Sequence, residues 1–142
     1  MEHMKLHHVG IVMTSREHAE KFMEKFGLEP DYAEYVEAYH SDCLFTKHRG
    51  DETPVELVIP KEGVLTRYNN GRGGIHHIAF EVDDVEATRQ FYEDRGLEML
   101  ENRAVDGAGD IIVNFLRPRY AEGILVEFVE RKNGSLSEKS KM

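Results

Sequence analysis

Two histidines and two glutamates recur in matched pairs along this 142-residue chain, and together they could bind a metal ion. Glu56 follows His8 by 48 positions, and Glu127 follows His77 by 50 positions. Both glutamates lie inside apolar runs, where a lone ionised carboxylate is costly unless a cation compensates it. Two imidazoles and two carboxylates suit Zn, Mn, Co, Ni or Fe(II), with coordination positions left for substrate or water. We therefore predict one divalent metal ion per chain, bound by these four residues.

The matched pairs belong to a repeat that spans most of the chain. Residues 6–29 align with residues 75–98 without a gap, and eight of the 24 aligned pairs are identical. A histidine or glutamate in a strand is ordinarily packed or solvated, but core packing gives no reason to preserve these residue types between two copies. The repeat therefore favours the metal. It predicts one domain, 1–142, with module one at about 5–62, a linker at about 63–73 and module two at about 74–131.

The first strand of each module must position its histidine. Alternation along the strand puts Val9, Ile11 and Met13 on one face and His8 on the other, and the second copy repeats this arrangement around His77. If the apolar face packs against a helix, both histidines face the opposite side of the sheet. The neighbouring positions on that side are the small residues Gly10 and Ala79, which leave room for a ligand.

A helix and three further strands follow in each module. Thr14 with Glu17, and Asp83 with Glu86, are typical of capping boxes at a helix N-terminus. The spacing of four apolar residues predicts the buried face of the first helix: Ala19, Phe22, Met23 and Phe26. Gly27 and Gly96 suit the left-handed residue that ends a helix. Later extended segments include Asp42–Lys47, Val55–Ile59, Ile111–Leu116 and Ile124–Val129. The prediction is an α+β fold of two tandem βαβββ modules, forming a curved mixed sheet around a metal cleft.

The composition narrows the classes of function. A formal net charge of -9 and a pI near 5.3 argue against nucleic-acid binding, which needs a surplus of Lys and Arg. The single cysteine, Cys43, excludes an internal disulfide framework. No apolar run is long enough for a membrane span, and nothing resembles a signal peptide, so we expect a cytoplasmic protein. The polar tail, 132–142, is expected to be mobile.

Three segments resemble the vicinal oxygen chelate (glyoxalase/bleomycin-resistance) superfamily over about residues 5–130: LHHVGIV, GRGGIHHIAFEVDDVEA and FLRPRYAEGILVEF. Within that superfamily, the central and closing segments most resemble the methylmalonyl-CoA epimerases. The resemblance implies the glyoxalase-like fold and a homodimer. It also implies metal ligands at His8, Glu56, His77 and Glu127, with zinc, cobalt, manganese or nickel as the ion.

If the resemblance extends to chemistry, the reaction is a proton transfer at the carbon next to a thioester carbonyl, on an acyl-CoA or another thioester. Inversion at that carbon needs proton-transfer groups on both faces. The resemblance places Glu127 as ligand and base, with Asp42 opposite; Glu37 is the alternative to Asp42. Phosphates of a CoA substrate need cations, for which Arg117, Arg119 and Arg72 are candidates unless they are merely solvated.

Three alternatives are open at this point. A lactoylglutathione lyase-type isomerase also moves a proton next to a carbonyl. A bleomycin-resistance-type binding protein needs an apolar cleft and no metal, which the matched His and Glu pairs disfavour. An extradiol dioxygenase uses two His and one Glu around Fe(II), and the additional Glu56 makes that assignment less attractive.

Overall fold

The computed structural model of the chain describes residues 4–132, and all but the first residue of the predicted mobile tail lies outside them. Module one comprises β1 (Lys5–Val12), α1 (Arg16–Phe26), β2 (Pro30–Val36), β3 (Ser41–Thr46) and β4 (Val55–Pro60). Module two comprises β5 (Gly74–Glu81), α2 (Val85–Glu93), β6 (Val105–Asp106), β7 (Ile111–Leu116) and β8 (Val126–Arg131). Both modules therefore have the predicted βαβββ order. No helix within residues 4–132 has the length and apolar character needed to cross a membrane.

The strands form one mixed sheet with the order β2-β3-β4-β1-β5-β8-β7-β6. The two modules meet where β1 pairs antiparallel with β5. From this central pair each half extends outwards in the same way, because β4 lies parallel to β1 and β8 lies parallel to β5. The sheet thus has the approximate twofold arrangement expected of a duplicated module, and the predicted fold class is confirmed.

The sheet curves until its two ends approach each other. The backbone N–H of Gly109, ahead of β7, donates a hydrogen bond to the Glu34 carboxylate on β2. Ala108 is buried against module-one residues, among them Val36 and Phe45. These contacts between segments 75 residues apart hold the sheet around a concave face.

The two faces of β1 pack as predicted. Ile11 and Met13 pack with Ala19 and Met23 of α1 on the convex face. Val12, one position away, packs in a separate cluster on the concave face. Side chains of β1 that share the parity of Val12 therefore face the concavity.

The helices begin one residue later than the capping prediction. The side chain of Ser15, not Thr14, accepts a hydrogen bond of 3.1 Å from the His18 N–H at the start of α1. In α2, Asp84, not Asp83, accepts one of 3.0 Å from the Ala87 N–H. In both copies two residues able to cap stand side by side, so residue type alone does not choose between them.

The buried face of α1 is shorter than predicted. Ala19 and Met23 are buried, but Phe26 is 61% exposed. Gly27 ends the helix with a left-handed backbone (φ 67°), as predicted, and Leu28 then packs against the α1 cluster. The residue after the turn thus supplies the apolar contact that the periodicity assigned to Phe26.

The segment between the modules is ordered and turn-rich. It contains a 3-10 turn at Val64–Arg67, followed by Asn69 and Asn70 with positive φ angles of 55° and 59°. The predicted segment Ile124–Val129 starts too early, because Ile124 still closes a turn by donating its N–H to the Ala121 carbonyl. Strand β8 therefore begins at Val126.

Candidate metal centre

The four predicted ligands lie on the four central strands of the sheet. Glu56 is on β4, His8 on β1, His77 on β5 and Glu127 on β8, which is also the order of these strands across the sheet. All four side chains are buried, and His8 is completely inaccessible. The duplication thus places one His and one Glu from each module next to the boundary between the modules.

The ligand atoms of these residues converge. His8 Nε2 lies 2.9 Å from Glu127 Oε1, 3.3 Å from Glu56 Oε1 and 3.2 Å from His77 Nε2. His77 Nε2 lies 3.2 Å from the Oε1 atom of each glutamate. One ligand atom from each residue lies within 4.8 Å of all the others.

Gly10 makes the convergence possible. It pairs with Glu56 on one side and with His77 on the other. A Cβ atom at this position would lie 2.0 Å from Cε1 and 2.3 Å from Nε2 of the His77 ring. The sequence predicted that a small residue here leaves room for a ligand, and the structure shows that His77 itself occupies that room.

The cluster is strongly coupled electrostatically. Burial by itself lowers the pKa of a histidine, but the contacts with Glu127 and Glu56 outweigh it and raise the pKa of His8 to about 9 and that of His77 to about 10. Burial favours the neutral form of each glutamate, but the contacts with His77 and His8 hold both carboxyl pKa values below the usual range. Without a metal ion, two imidazolium groups therefore balance two carboxylates.

A divalent ion fits this donor set. Glu127 Oε1 is buried and accepts no hydrogen bond within the described structure, despite its proximity to both imidazoles. Four ligands about 2.0–2.1 Å from a tetrahedral ion stand about 3.3 Å apart, close to the five separations of 2.9–3.3 Å found here. The four residues could therefore hold one metal ion, and the ion would satisfy the orphaned oxygen.

A second pair of histidines contacts the far side of each ligand ring. His7 Nδ1 lies 2.7 Å from His8 Nδ1, and His76 Nδ1 lies 2.8 Å from His77 Nδ1. Burial, and then the charge of the adjacent ligand histidine, lower the pKa of His7 to about 3 and that of His76 to about 4. The neutral outer rings can accept an N–H from the ligand rings, which fixes the tautomer that leaves Nε2 free for a metal.

A cavity of about 250 Å³ opens beside the cluster. Glu56, His77 and Glu127 form part of its wall, and most of the remainder is apolar. No Lys or Arg is among the residues of 4–132 that line it. Four other residues with titratable side chains also line it: Tyr39, His40, Cys43 and His76. The cavity can accommodate a largely apolar group while presenting oxygen ligands to a metal.

The structure does not bring Asp42 to the cluster. In the pairing of β3 with β4, Phe45 lies opposite Glu56, so residues with the parity of Phe45 share the concave face. Asp42 has the other parity, and its carboxylate approaches Arg16 of α1 at 3.9 Å and Lys61 at 3.4 Å. The alternative, Glu37, is exposed and does not line the cavity.

The arginines considered for phosphate binding lie away from the cavity wall. Arg117 Nε is 3.7 Å from Glu98, and the Arg119 guanidinium lies over the Tyr120 ring. Arg72 lines a separate groove next to α1. By contrast, Gly107 and Ala108 of the loop ahead of β7 do line the cavity.

Sequence reasoning missed Tyr39. This residue lies in the 3-10 turn between β2 and β3, where no repeat partner and no periodicity mark it. Tyr39 lines the cavity, and its hydroxyl is buried without a hydrogen-bond partner among the described residues.

A duplicated βαβββ module, with a His and a Glu from each copy converging where a metal ion could be held, defines the class of fold. The family model described as the Glyoxalase/Bleomycin resistance protein/Dioxygenase superfamily matches residues 7–115. The chain belongs to this superfamily.

Individual relatives are similar to this chain over most of its length. A solved structure of hypothetical protein BH1468 from Bacillus halodurans is 31% identical, with a TM-score of 0.80 over 92% of this chain and 96% of that one. The mouse mitochondrial methylmalonyl-CoA epimerase is 29% identical over 128 residues, covering 87% of this chain and 71% of the mouse protein. A variant of the Streptomyces coelicolor methylmalonyl-CoA epimerase in complex with 2-nitronate-propionyl-CoA is 25% identical, with a TM-score of 0.80 over 89% and 96% of the two chains.

Proposed function

We propose that the protein is a metal-dependent epimerase or isomerase that moves a proton at the carbon next to a thioester carbonyl. The observation that carries the proposal is the position of Glu127, a buried carboxylate that belongs to the metal cluster and also forms part of the cavity wall. The similarity to epimerases over most of the chain makes methylmalonyl-CoA the first substrate to test. We propose Zn, Co, Mn or Ni as the ion, held by His8, Glu56, His77 and Glu127.

The metal ion and the protein side chains would make different contributions to the reaction. A bound divalent ion would supply Lewis-acid stabilisation of the negative charge that develops on a substrate oxygen. Glu127 takes the proton from one face of the acidic carbon, because contacts with His77 and His8 outweigh burial, hold its carboxyl pKa low and keep the group ionised at neutral pH. In an isomerisation Glu127 returns that proton to the neighbouring carbon. Inversion instead needs a second group that returns a proton on the opposite face, and Glu56, the other carboxylate in the cavity wall, is the candidate for that role. The apolar wall excludes water and so strengthens the electrostatic interactions inside the cavity. Asp42 has no part in this proposal, because it lies on the helix-facing side of β3.

The test is proton exchange at the reacting carbon. Metal-replete protein is incubated with (2R)- or (2S)-methylmalonyl-CoA in D2O, and deuterium entry at C2 is followed together with interconversion of the two forms. We expect exchange well above the rate without protein, and its loss after the metal is chelated. Absence of exchange with one equivalent of metal bound would exclude this substrate.

A lactoylglutathione lyase-type reaction is the second candidate, and one observation favours it. Within residues 4–132, no carboxylate outside the His/Glu cluster lines the cavity, so any second acidic base must itself be a cluster residue. An isomerase that moves a proton between neighbouring carbons needs a base on only one face of its substrate. Turnover of glutathione hemithioacetals without exchange of methylmalonyl-CoA would select this candidate.

A non-catalytic binding protein is the third candidate, and the buried charged cluster disfavours it. An apolar drug gains nothing from four buried ionisable groups, whose desolvation is unfavourable. Metal analysis decides this point, because one tightly bound equivalent per chain contradicts a metal-free binding protein. The homodimer expected from the family resemblance stays a prediction, which analytical ultracentrifugation checks.

A further inference from the structure

The cavity beside the His/Glu cluster is larger than two metal-bound oxygens require. Its volume is about 250 Å³. An engineered apolar cavity of about 150 Å³ is large enough to bind benzene. Two chelating oxygens and the carbons that carry them fill only part of the space beside the cluster. Room is therefore left for a further group of about six carbon atoms.

Apolar side chains from both modules form the wall around that space. Val58 and Ala108 belong to one buried apolar cluster and Ile111 and Phe115 to another, and all four residues line the cavity. No Lys or Arg is among the described residues of the wall. A charged group placed here would lose its hydration without gaining a partner, whereas an apolar group is stabilised by leaving water.

Three polar side chains in the wall offer little to a negatively charged group. Burial raises the pKa of the Cys43 thiol and that of the Tyr39 phenol well above their usual values, so both are neutral at physiological pH. His40 already faces a carboxylate, because its Nδ1 atom lies 3.5 Å from Glu62 Oε1. The space beyond the cluster therefore favours an uncharged group over a further carboxylate.

The mouth of the cavity is also apolar. Val64 and Leu100 line the cavity and are nevertheless 73% and 42% exposed, so they stand where the cavity meets solvent. Val64 belongs to the turn between the modules, and Leu100 donates its N–H to the Phe115 carbonyl at 2.7 Å. Exposed apolar side chains at the edge of a pocket are typical of ligand-binding grooves. A chain longer than the cavity would contact these two residues.

We propose that the substrate carries, on its reacting carbon, an uncharged apolar substituent of about six carbons that fills this cavity. The substrate class is a thioester, or a related carbonyl compound, with two oxygens placed to bind the metal and a substituent much larger than methyl. This inference rests on the proposed function for the metal and the reacting carbon, and it narrows the substrate class of the same site.

The experiment measures ligand binding in the Co²⁺-loaded protein. Aceto-, butyro-, hexano- and octanohydroxamate present the same two neighbouring oxygens and differ only in the length of one alkyl chain. The visible cobalt spectrum reports their binding. We expect the affinity to rise about threefold with each added methylene, because each one leaves water for an apolar wall. Equal or falling affinities along the series would overturn the proposal, and so would a Co²⁺-loaded protein that binds none of the four.

Leu100→Ser locates the alkyl chain, and Phe26→Ser is the matched control. Both substitutions replace a partly exposed apolar side chain, but Phe26 ends α1 and does not line the cavity. Leu100→Ser should weaken octanohydroxamate binding about threefold more than it weakens acetohydroxamate binding. Phe26→Ser should leave the ratio of the two affinities at its wild-type value. A wild-type ratio in folded Leu100→Ser would show that the chain does not reach this mouth and would refute the proposal.

The readouts separate this inference from the proposed function. Hydroxamate binding requires no proton transfer, whereas deuterium exchange does. Affinities that rise with chain length, without exchange of either methylmalonyl-CoA or 2-hexylmalonyl-CoA, would support the apolar substituent and reject the epimerase. Exchange of methylmalonyl-CoA with equal hydroxamate affinities would do the opposite. If both proposals hold, 2-hexylmalonyl-CoA should exchange with the higher kcat/KM.

Discussion

At Gly10 the absence of a side chain allows the His77 ring to reach the His/Glu cluster. A Cβ atom there would overlap the His77 ring at 2.0 Å, and β1 and β5 are paired too closely for either backbone to retreat. We expect Gly10→Ala to displace His77 and to weaken metal binding by about 100-fold or more, since disturbing even the residues behind a ligand costs about 10–100-fold. Titration with Co²⁺, with circular dichroism to confirm folding, measures the effect.

The repeat supplies the control for Gly10→Ala. Ala79 occupies the equivalent position of module two and pairs with His8, whose ring tolerates the Ala79 methyl group. Ala79→Gly should therefore destabilise the sheet modestly and retain the metal. Full metal affinity in Gly10→Ala would show that the His77 ring can move without leaving the cluster, contrary to the prediction.

Glu127 is expected to combine metal binding with proton transfer, and Glu127→Gln separates the two roles. The amide oxygen of glutamine can still approach a metal, but the side chain no longer accepts a proton. We expect deuterium exchange to slow by about 100-fold or more with metal still bound. Glu130→Gln is the control, because Glu130 lies on the same strand, does not belong to the His/Glu cluster and accepts a hydrogen bond from the Val85 N–H. An unchanged exchange rate in Glu127→Gln would remove this residue from the mechanism.

The sequence allowed prediction of the four residues that converge in the His/Glu cluster but not of the side chains around them, for a physical reason. His and Glu at matched positions of a repeat stand out because packing does not require them. Asp42 could not be assigned to a face, because Cys43, Leu44 and Phe45 are all buried and β3 therefore shows no alternation. Tyr39 lies in a turn, where no periodicity shows where a side chain points.

At the scale of secondary structure, a side-chain cap was correctly predicted at the N-terminus of each helix, but one residue too early. Because the Asp84 side chain accepts the Ala87 N–H, we expect Asp84→Ala to lower the free energy of unfolding by about 1 kcal/mol. Asp83→Ala should change it by less than about 0.5 kcal/mol, since surface substitutions away from such features have small effects. Urea denaturation of both variants gives the comparison.

The same test can be made at the N-terminus of α1. Ser15→Ala should destabilise by a similar amount, because Ser15 accepts the His18 N–H. Thr14 is a less clean control than Asp83, since its hydroxyl contacts the His18 ring. If Asp83→Ala proved as costly as Asp84→Ala, the helix would begin one residue earlier than the structure has it.

The repeat in the sequence made the order of strands and helices predictable. The strands at the two edges of the sheet could not be predicted in this way. Strand β2 is exposed along nearly its whole length and lacks an apolar alternation, and β6 has only two residues. Pairing with neighbouring strands, rather than burial of an apolar face, makes these segments extended. Contacts of that kind leave no pattern in the local sequence.

At the scale of the whole molecule, the cluster of His8, Glu56, His77 and Glu127 joins the two modules. Each module contributes one His and one Glu, so a bound ion opposes separation of the halves of the sheet along β1 and β5. Binding to the folded state alone stabilises it, by about 4 kcal/mol at a free metal concentration 1,000 times the dissociation constant. Loaded protein should therefore unfold at a distinctly higher temperature than chelated protein. Coincident unfolding curves would contradict binding at this cluster.

The pH dependence of that stabilisation follows from the charges in the cluster. In the metal-free protein the pKa values of His8 and His77 are raised to about 9 and about 10. Protonation of the two imidazoles therefore stabilises the folded state. This contribution is fully present below pH 6.5, the pKa of histidine in the unfolded chain, and it is lost as the pH rises through 9–10. The low carboxyl pKa values of Glu56 and Glu127 contribute stability above about pH 4.5, which is lost at lower pH. Near neutral pH a metal ion must therefore displace the imidazole protons.

Two consequences can be measured together. At pH 7 metal binding should release about two protons per chain, one from each ligand histidine, and fewer as the pH approaches 9–10. The increase in melting temperature on loading should accordingly grow from pH 6 to pH 9, because competition from protons weakens. Calorimetry in buffers of different ionisation enthalpy counts the protons, and paired melting curves follow the stability. Taking the difference between loaded and chelated protein removes other groups that titrate in this range. A pH-independent difference without proton release would mean that the two imidazoles are already neutral in the metal-free protein.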